Sequence, residues 1–293
     1  MARQRPISAG MSDEVVRTQG LTKVYADFWG RPRVNALEGL DLSIARGEVF
    51  GLLGPNGSGK TTTIKLLLGL VRPTGGAAFV MGRDPGSRAA RARVGYLPEE
   101  SHLYRFLDAE ETLRFAGRLH GLPRTALAQR IDALIAQVGL AAARRRRVAG
   151  YSKGMARRLG LAQALIHDPD LVVLDEPTSG LDPIGSADVK DLIIDLKRRG
   201  KTVLLCSHLL ADVEDVCDRI AILSQGELLE SGPVADLLRD DRRMVVELES
   251  PDAATLAAVR AAAGASLRSV GPPRERLEAR FRRIVAAAKD RPR

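Results

Sequence analysis

The 293-residue chain has only two cysteines, Cys206 and Cys217, too few for a disulfide framework and without metal-ligand spacing. Both are expected as buried thiols in a reducing cytoplasm. Aromatic residues make up 4% of the chain, which argues against a carbohydrate-binding surface or a stacking platform for single-stranded nucleic acid. No stretch reaches the roughly 18 apolar residues that a membrane-spanning helix needs, and residues 1–11 lack the apolar core of a signal peptide. The chain is therefore expected not to cross a membrane by itself, and no internal repeat is visible. Hydrophobic residues at 45% and charged ones at 28% support a globular core and exclude wholesale disorder. The length suggests about two domains. Basic residues number 45 against 36 acidic ones, for a net charge of +9, and the eight basic and three acidic residues between Arg274 and Arg293 put +5 of it in the tail. Such a tail suits anionic lipid, nucleic acid or a solvated helix face.

Short apolar runs over Val15–Ile44 predict a strand, a turn and a strand, with Gly39, Asp41 and Arg46-Gly47 as turn signals. The continuous run Val49–Leu53 predicts a strand buried on both faces, and a helix follows from Lys60 to about Gly69. Further strands are expected at Ala77–Met81, Val94–Leu97, Leu171–Leu174, Thr202–Cys206 and Ile220–Leu223. A helix over about Gly185–Arg199 between two of these strands implies parallel crossovers. Asp108 with Glu111 predicts a capping box opening a helix that closes near Gly121. Leu127, Ile131, Leu134, Ile135 and Val138 predict a second helix, closed by Gly139. These two helices read as a helical lobe, residues 100–168, inserted into an α/β core. Arg144–Arg147 reads as a solvated loop of that lobe or one lying near anionic lipid. The main domain is placed at 14–240. Residues 241–293 read as an appendage with a strand, an Ala-rich helix and a basic final helix.

Gly54, Pro55, Asn56, Gly57, Ser58, Gly59, Lys60, Thr61 and Thr62 fit G-x-x-x-x-G-K-[ST] between a strand and a helix. Phosphates need many donors at short range without side-chain crowding, so the glycines let backbone N–H groups curl around them. The following helix adds its positive end. Lys60 can reach the β- and γ-phosphates and the Thr61 hydroxyl can ligate Mg²⁺. Asp175 and Glu176 end the buried run Leu171–Leu174, where α/β sheets bind ligands. Asp175 can hold the metal through water, and Glu176 is placed to polarise an attacking water. His208 closely follows another strand and can donate to the γ-phosphate in the transition state. Ser152 and Gly154, in Tyr151–Met155 (YSKGM), precede a helix, where Ser152 is an anion contact or simply an N-cap.

In this order, together with Gly95–Glu99 (GYLPE) and Ser179–Asp182 (SGLD), these motifs resemble the ATP-binding subunit of an ATP-binding-cassette (ABC) transporter over residues 15–240. The variants GYLPEE and YSKGM resemble the branch that energises ABC-2-type exporters, multidrug and polysaccharide systems among them. The resemblance implies a P-loop ATPase cassette: a RecA-like core, an antiparallel β subdomain and an inserted helical lobe, here with a small α+β C-terminal extension. It implies ATP and Mg²⁺ as ligands and Tyr25 as the aromatic stacking on adenine, in preference to Phe28 or Trp29. It also implies a head-to-tail dimer in which Ser152 and Gly154 contact the nucleotide of a second ATP-binding subunit, while Asp182 couples the two sites. The chain would then be an ATPase peripheral to the cytoplasmic face of the membrane, driving a separate permease docked on the helical lobe and the loop Glu99–Tyr104. Three departures stand out: Lys153 for a Gly, Met155 for a Gln, and Glu99 for the Mg²⁺-contacting Gln. The segment Phe28–Arg33 looks like an insertion. A soluble cassette acting on ribosomes or nucleic acid is the alternative, weakened by the single phosphate loop and the lack of a coiled-coil insertion. A small-molecule kinase would leave YSKGM and SGLD unexplained.

Overall fold

A computed structural model of the chain describes residues 13–26, 32–238, 248 and 252–264. Strands β1 (Glu14–Ala26) and β2 (Pro32–Ala45) pair antiparallel, and β4 (Gly75–Val80) joins them in a three-stranded sheet ordered β2-β1-β4. Gly39, expected at a turn, lies inside β2 with φ +60. Between Leu37 and Leu40 that strand carries one residue more than its partner, and the bulge uses the glycine's left-handed freedom.

The second sheet has six strands: β3 (Val49–Leu53), β5 (Val94–Leu97), β6 (Leu171–Asp175), β7 (Thr202–Ser207), β8 (Arg219–Ser224) and β9 (Glu227–Pro233). Their order is β5-β6-β7-β3-β8-β9, parallel except for β9. The central strands are apolar throughout because both of their faces are covered. Val172, Leu174, Val203 and Leu205 pack into one core cluster. Leu171, Val173, Leu204 and Cys206 pack into the other, beneath the antiparallel sheet. Edge strand β9 was not anticipated. It forms a hairpin with β8 through Gln225 and Gly226, both at positive φ, as a tight two-residue turn requires.

The helices are α1 (Lys60–Leu67), α2 (Arg88–Arg91), α3 (Ala109–Leu119), α4 (Arg124–Gln137), α5 (Lys153–Leu165), α6 (Pro183–Arg198), α7 (Leu210–Val216), α8 (Val234–Leu237) and α9 (Ala253–Ala263). Helices α3, α4 and α5 form the lobe around Leu113, Leu127, Ile131, Leu134 and Leu159, all buried. The capping box at Asp108 is present. Asp108 Oδ1 accepts from Glu111 N–H at 2.8 Å, and Glu111 Oε2 accepts from Asp108 N–H at 3.0 Å.

The basic run Arg144–Arg147 is not simply solvated. Arg144 pairs with the buried Glu110 and with Asp132, both at 2.7 Å, and Arg145 pairs with Glu110 at 3.2 Å. Burial alone would raise the Glu110 pKa, but the Arg144 hydrogen bond and the charges of Arg144, Arg145 and Arg114 hold it below its ordinary value. Half of the run thus cross-links the lobe.

Cys206 is buried as expected, whereas Cys217 is only partly so. No helix among the described residues is long and apolar enough to cross a membrane. The chain separates into two compact units, one ending at Leu237 and one starting at Leu238. In the second, the Ala-rich helix α9 is capped by Asp252, whose side chain accepts from Thr255 N–H at 2.7 Å. The expected strand over 244–248, Leu248 apart, and the basic final helix lie outside the described residues.

Candidate functional site

Strand β3 runs into the loop 54–59 and then into α1. Gly54 (φ +153) and Gly59 (φ +108) have no room for a side chain. A Cβ on Gly54 would sit 2.4 Å from Ser58 Oγ and 2.3 Å from the Leu223 carbonyl oxygen, and one on Gly59 would sit 2.7 Å from the Ala36 carbonyl oxygen. The loop is thereby folded tightly over the N-terminus of α1, whose first N–H groups have no partner within the helix. Lys60 is buried, and its Nζ donates to the Gly54 and Pro55 carbonyls at 2.5 and 3.2 Å. Ser58 Oγ is buried and has no hydrogen-bond partner among the described residues. This cradle of glycines, helix amides and one ammonium fits a polyphosphate.

Asp175 closes β6, and Glu176 N–H continues the ladder to the Cys206 carbonyl at 2.9 Å. Glu176 itself has φ +49, a left-handed conformation that is costly for a non-glycine residue, and it lines the cleft. His208 Nδ1 lies 2.8 Å from Glu176 Oε2, the carboxylate accepting. Burial, with Glu99 and Glu176 nearby, pushes the Asp175 carboxyl up to about 6. An excess of negative charge therefore faces the cleft. Thr61, Glu99 and Asp175 supply hard oxygen donors of the kind Mg²⁺ prefers, so the residues present fit that ion.

One cleft of about 420 Å³ is lined by Asn56, Gly57, Ser58, Gly59, Lys60, Thr61, Thr62, Tyr25, Glu99, Asp175, Glu176 and His208, together with Val34 and Ala36. That volume suits a small-molecule ligand. Tyr25 and Val34 are cross-strand partners and give the cleft an apolar end on the β1–β2 sheet. Phe28 and Trp29 lie outside the described residues.

Five residues singled out in the sequence are absent from the lining of this cleft: Gly54, Pro55, Ser152, Gly154 and Asp182. Ser152 caps α5, its Oγ accepting from Met155 N–H at 3.2 Å. Gly154 lies in the first turn of that helix, and Asp182 caps α6 by accepting from Gly185 N–H at 2.7 Å. Gly54 and Pro55 belong to the loop, where their carbonyls hold Lys60. The sequence reading missed Val34, Ala36 and a buried arginine, Arg157, whose guanidinium lies behind Asp175 and Glu176. Its only signal was a charge on a helix stripe otherwise made of Gly160, Leu161 and Ala164.

A model of the ABC transporter family matches residues 37–179. An uncharacterized ABC transporter ATP-binding protein of Synechocystis sp. is 48% identical over 238 residues, 80% of this chain and 67% of that protein. The chain belongs to the ABC transporter ATP-binding proteins. A fluoroquinolones export ATP-binding protein of Mycobacterium tuberculosis is 42% identical over 244 residues, 82% of this chain and 78% of that one. A solved structure of the ATP-binding subunit of an ABC transporter aligns with a TM-score of 0.67 at 31% identity, covering 76% of this chain and 91% of the other. The ABC ATPase architecture of a mixed sheet, an antiparallel sheet and a helical lobe accounts for both sheets described above.

Proposed function

We propose that this ABC ATPase hydrolyses ATP to drive a separate membrane permease in the direction of export. The observation that carries the reading is the single cleft, in which the phosphate loop, Asp175, Glu176, Glu99, His208 and Tyr25 all meet.

On this reading Tyr25 stacks on adenine, and the loop amides with Lys60 take the phosphates. The Lys60 ammonium exchanges its two carbonyl partners for phosphate oxygens. Thr61, Asp175 and Glu99 would hold Mg²⁺, which when bound neutralises charge on the β- and γ-phosphates. Glu176 accepts a proton from the attacking water as its oxygen bonds to the γ-phosphorus and the bond to ADP breaks. The hydrogen bond to Glu176 fixes the His208 ring, so that its other nitrogen can face the γ-phosphate.

Ser152, Gly154 and Asp182 lie outside the cleft, which suits a head-to-tail pair in which they serve the nucleotide of a second subunit. The permease would dock beside the Glu99 loop. There Tyr104, Phe106 and Phe115 are 52%, 67% and 45% exposed and cluster with ring centroids 5.7 Å apart. In a chain this poor in aromatics, such a patch marks a contact surface. The chain would thus sit peripherally at the cytoplasmic face of the membrane. The mycobacterial relative, a fluoroquinolones export ATP-binding protein, supports the export direction.

The test is to trap Glu176→Gln with ATP in cells, solubilise gently and identify what co-purifies. A polytopic membrane protein is expected. Ribosomal or nucleic-acid components without one would overturn the transport role. Wild-type ATP turnover by Glu176→Gln would remove that residue from the chemistry.

A further inference from the structure

Arg157 lies in the second turn of α5, one turn beyond Lys153, and only 5% of its surface is exposed. A guanidinium has five N–H groups, and here each has a partner. Nε donates to the Pro177 carbonyl at 3.0 Å. Nη1 donates to the carbonyls of Pro98 and, at 2.8 Å, Glu99. Nη2 donates to those of Asp175 and, at 2.8 Å, Glu176. All five acceptors are main-chain carbonyls, none a carboxylate. Burial lowers the Arg157 pKa to about 10, against the opposing pull of Asp175 and Glu99. A buried guanidinium needs every donor satisfied, and here all five acceptors lie outside its own helix.

The five carbonyls come from two separate stretches of chain. One is the loop after β5 that carries Pro98 and Glu99; the other runs from Asp175, the last residue of β6, into the loop that carries Glu176 and Pro177. The second loop contains the strained left-handed Glu176, a conformation that persists only where surroundings over-determine it. On its far side the same loop is held by Thr178, whose hydroxyl donates to Asp212 at 2.6 Å. A planar fork can hold five acceptors on two stretches of chain at once, whereas an ammonium has three donors on a single atom.

We infer that Arg157 is a positioning residue for hydrolysis: its guanidinium fixes the main chain of Glu176 and Glu99 in register with each other and with the helix that opens at Ser152. It does not line the cleft, and acts through the carbonyls it holds. The inference rests on the proposed role of Glu176 in activating water.

The test uses the full chain and four variants: Arg157→Gln, Arg157→Lys, Glu176→Gln and the double substitution Arg157→Gln with Glu176→Gln. Steady-state ATP hydrolysis is measured with Mg²⁺, single-turnover rates are measured for the slow variants, and affinity for a non-hydrolysable ATP analogue is measured separately. Displacing a reacting group by about 1 Å can cost on the order of 100-fold. Arg157→Gln is therefore expected to lower kcat by roughly 10- to 100-fold, with KM and analogue affinity within about threefold of wild type. The double variant should be no slower than Glu176→Gln, because two residues acting as one unit do not add. Arg157→Lys keeps a cation and a donor in place, so it carries the test if Arg157→Gln fails to fold, and it should recover little of the lost kcat. Wild-type kcat in Arg157→Gln or in Arg157→Lys would overturn the inference, as would a loss seen only in KM or one that adds fully to Glu176→Gln. If Glu176→Gln hydrolyses ATP normally, the functional reading beneath the inference fails instead.

Discussion

Asp175→Asn should make the nucleotide-free protein more stable while removing its response to Mg²⁺ and ATP. The Asp175 carboxyl is buried, and among the described residues no side-chain hydrogen bond holds it; Glu99 and Glu176 add to the burial penalty and push it from the usual 3.8 up to about 6. Its native form therefore binds a proton more tightly than the unfolded chain does. Between about pH 4 and pH 6 the native state holds more protons, so stability falls as pH rises through that window and the whole cost is present above it. At 1.36 kcal/mol for each factor of ten, the cost is about 3 kcal/mol at neutral pH. Asparagine has nearly the same volume and no charge. Urea unfolding followed by far-ultraviolet circular dichroism, in chelator, should show the variant about 2–3 kcal/mol more stable at pH 7.5. The gap should close towards pH 4. Adding ATP with Mg²⁺ should raise the midpoint of the wild type and leave the variant's nearly unmoved. A variant no more stable than wild type at pH 7.5, or a gap that does not narrow on acidification, would refute this account of the site's electrostatics.

Three further outcomes are expected. Lys60→Ala should weaken ATP binding by roughly 100-fold or more, through loss of a charge-assisted contact to phosphate; equilibrium binding of a fluorescent ATP analogue checks it. Glu99→Ala should raise the Mg²⁺ concentration needed for half-maximal turnover several-fold, and an unchanged Mg²⁺ dependence would remove Glu99 from the metal site. Asp108→Ala breaks the capping box of α3 and should cost about 1 kcal/mol of stability, readable as a lower urea midpoint with ATP affinity unchanged.

The phosphate loop was legible because its glycines answer a purely local need: Gly54 and Gly59 have no space for a Cβ. The parallel strands were legible because burial on both faces leaves an unbroken apolar run. Strand β9 was not, since its residues are mostly exposed and ELLESGP carries no buried stripe; the hairpin through Gln225 and Gly226 defines it. Arg145, Arg146 and Arg147 are exposed, as a solvated loop requires, but the cross-linking by Arg144 was missed for a related reason. Its partners Glu110 and Asp132 lie 34 and 12 residues from Arg144, and only the fold of the lobe joins them. Arg157 was harder still. Its acceptors are main-chain carbonyls up to 59 residues distant, and a carbonyl leaves no mark in the identity of its residue.

The cleft, taken as a whole, holds groups whose best partners come from a ligand. Lys60 is folded back on two carbonyls of its own loop, while burial and the nearby Glu99 and Glu176 make charge on Asp175 unfavourable across the same space. Lys60 offsets part of the Asp175 penalty through space, but among the described residues no hydrogen bond or ion pair joins it to a carboxylate of the cleft. A polyphosphate with a divalent ion has the charge pattern to resolve both: anionic oxygens for Lys60 and the amides of α1, positive charge for the carboxylates. Folding therefore leaves the site electrostatically unfavourable, and binding relieves it. Glu99 sharpens the effect, because it places a charge where the resemblance would put a neutral glutamine. For that reason ATP with Mg²⁺ should stabilise this protein more than either does alone, and Glu99→Gln should reduce that excess by relieving in advance part of the repulsion that binding otherwise removes.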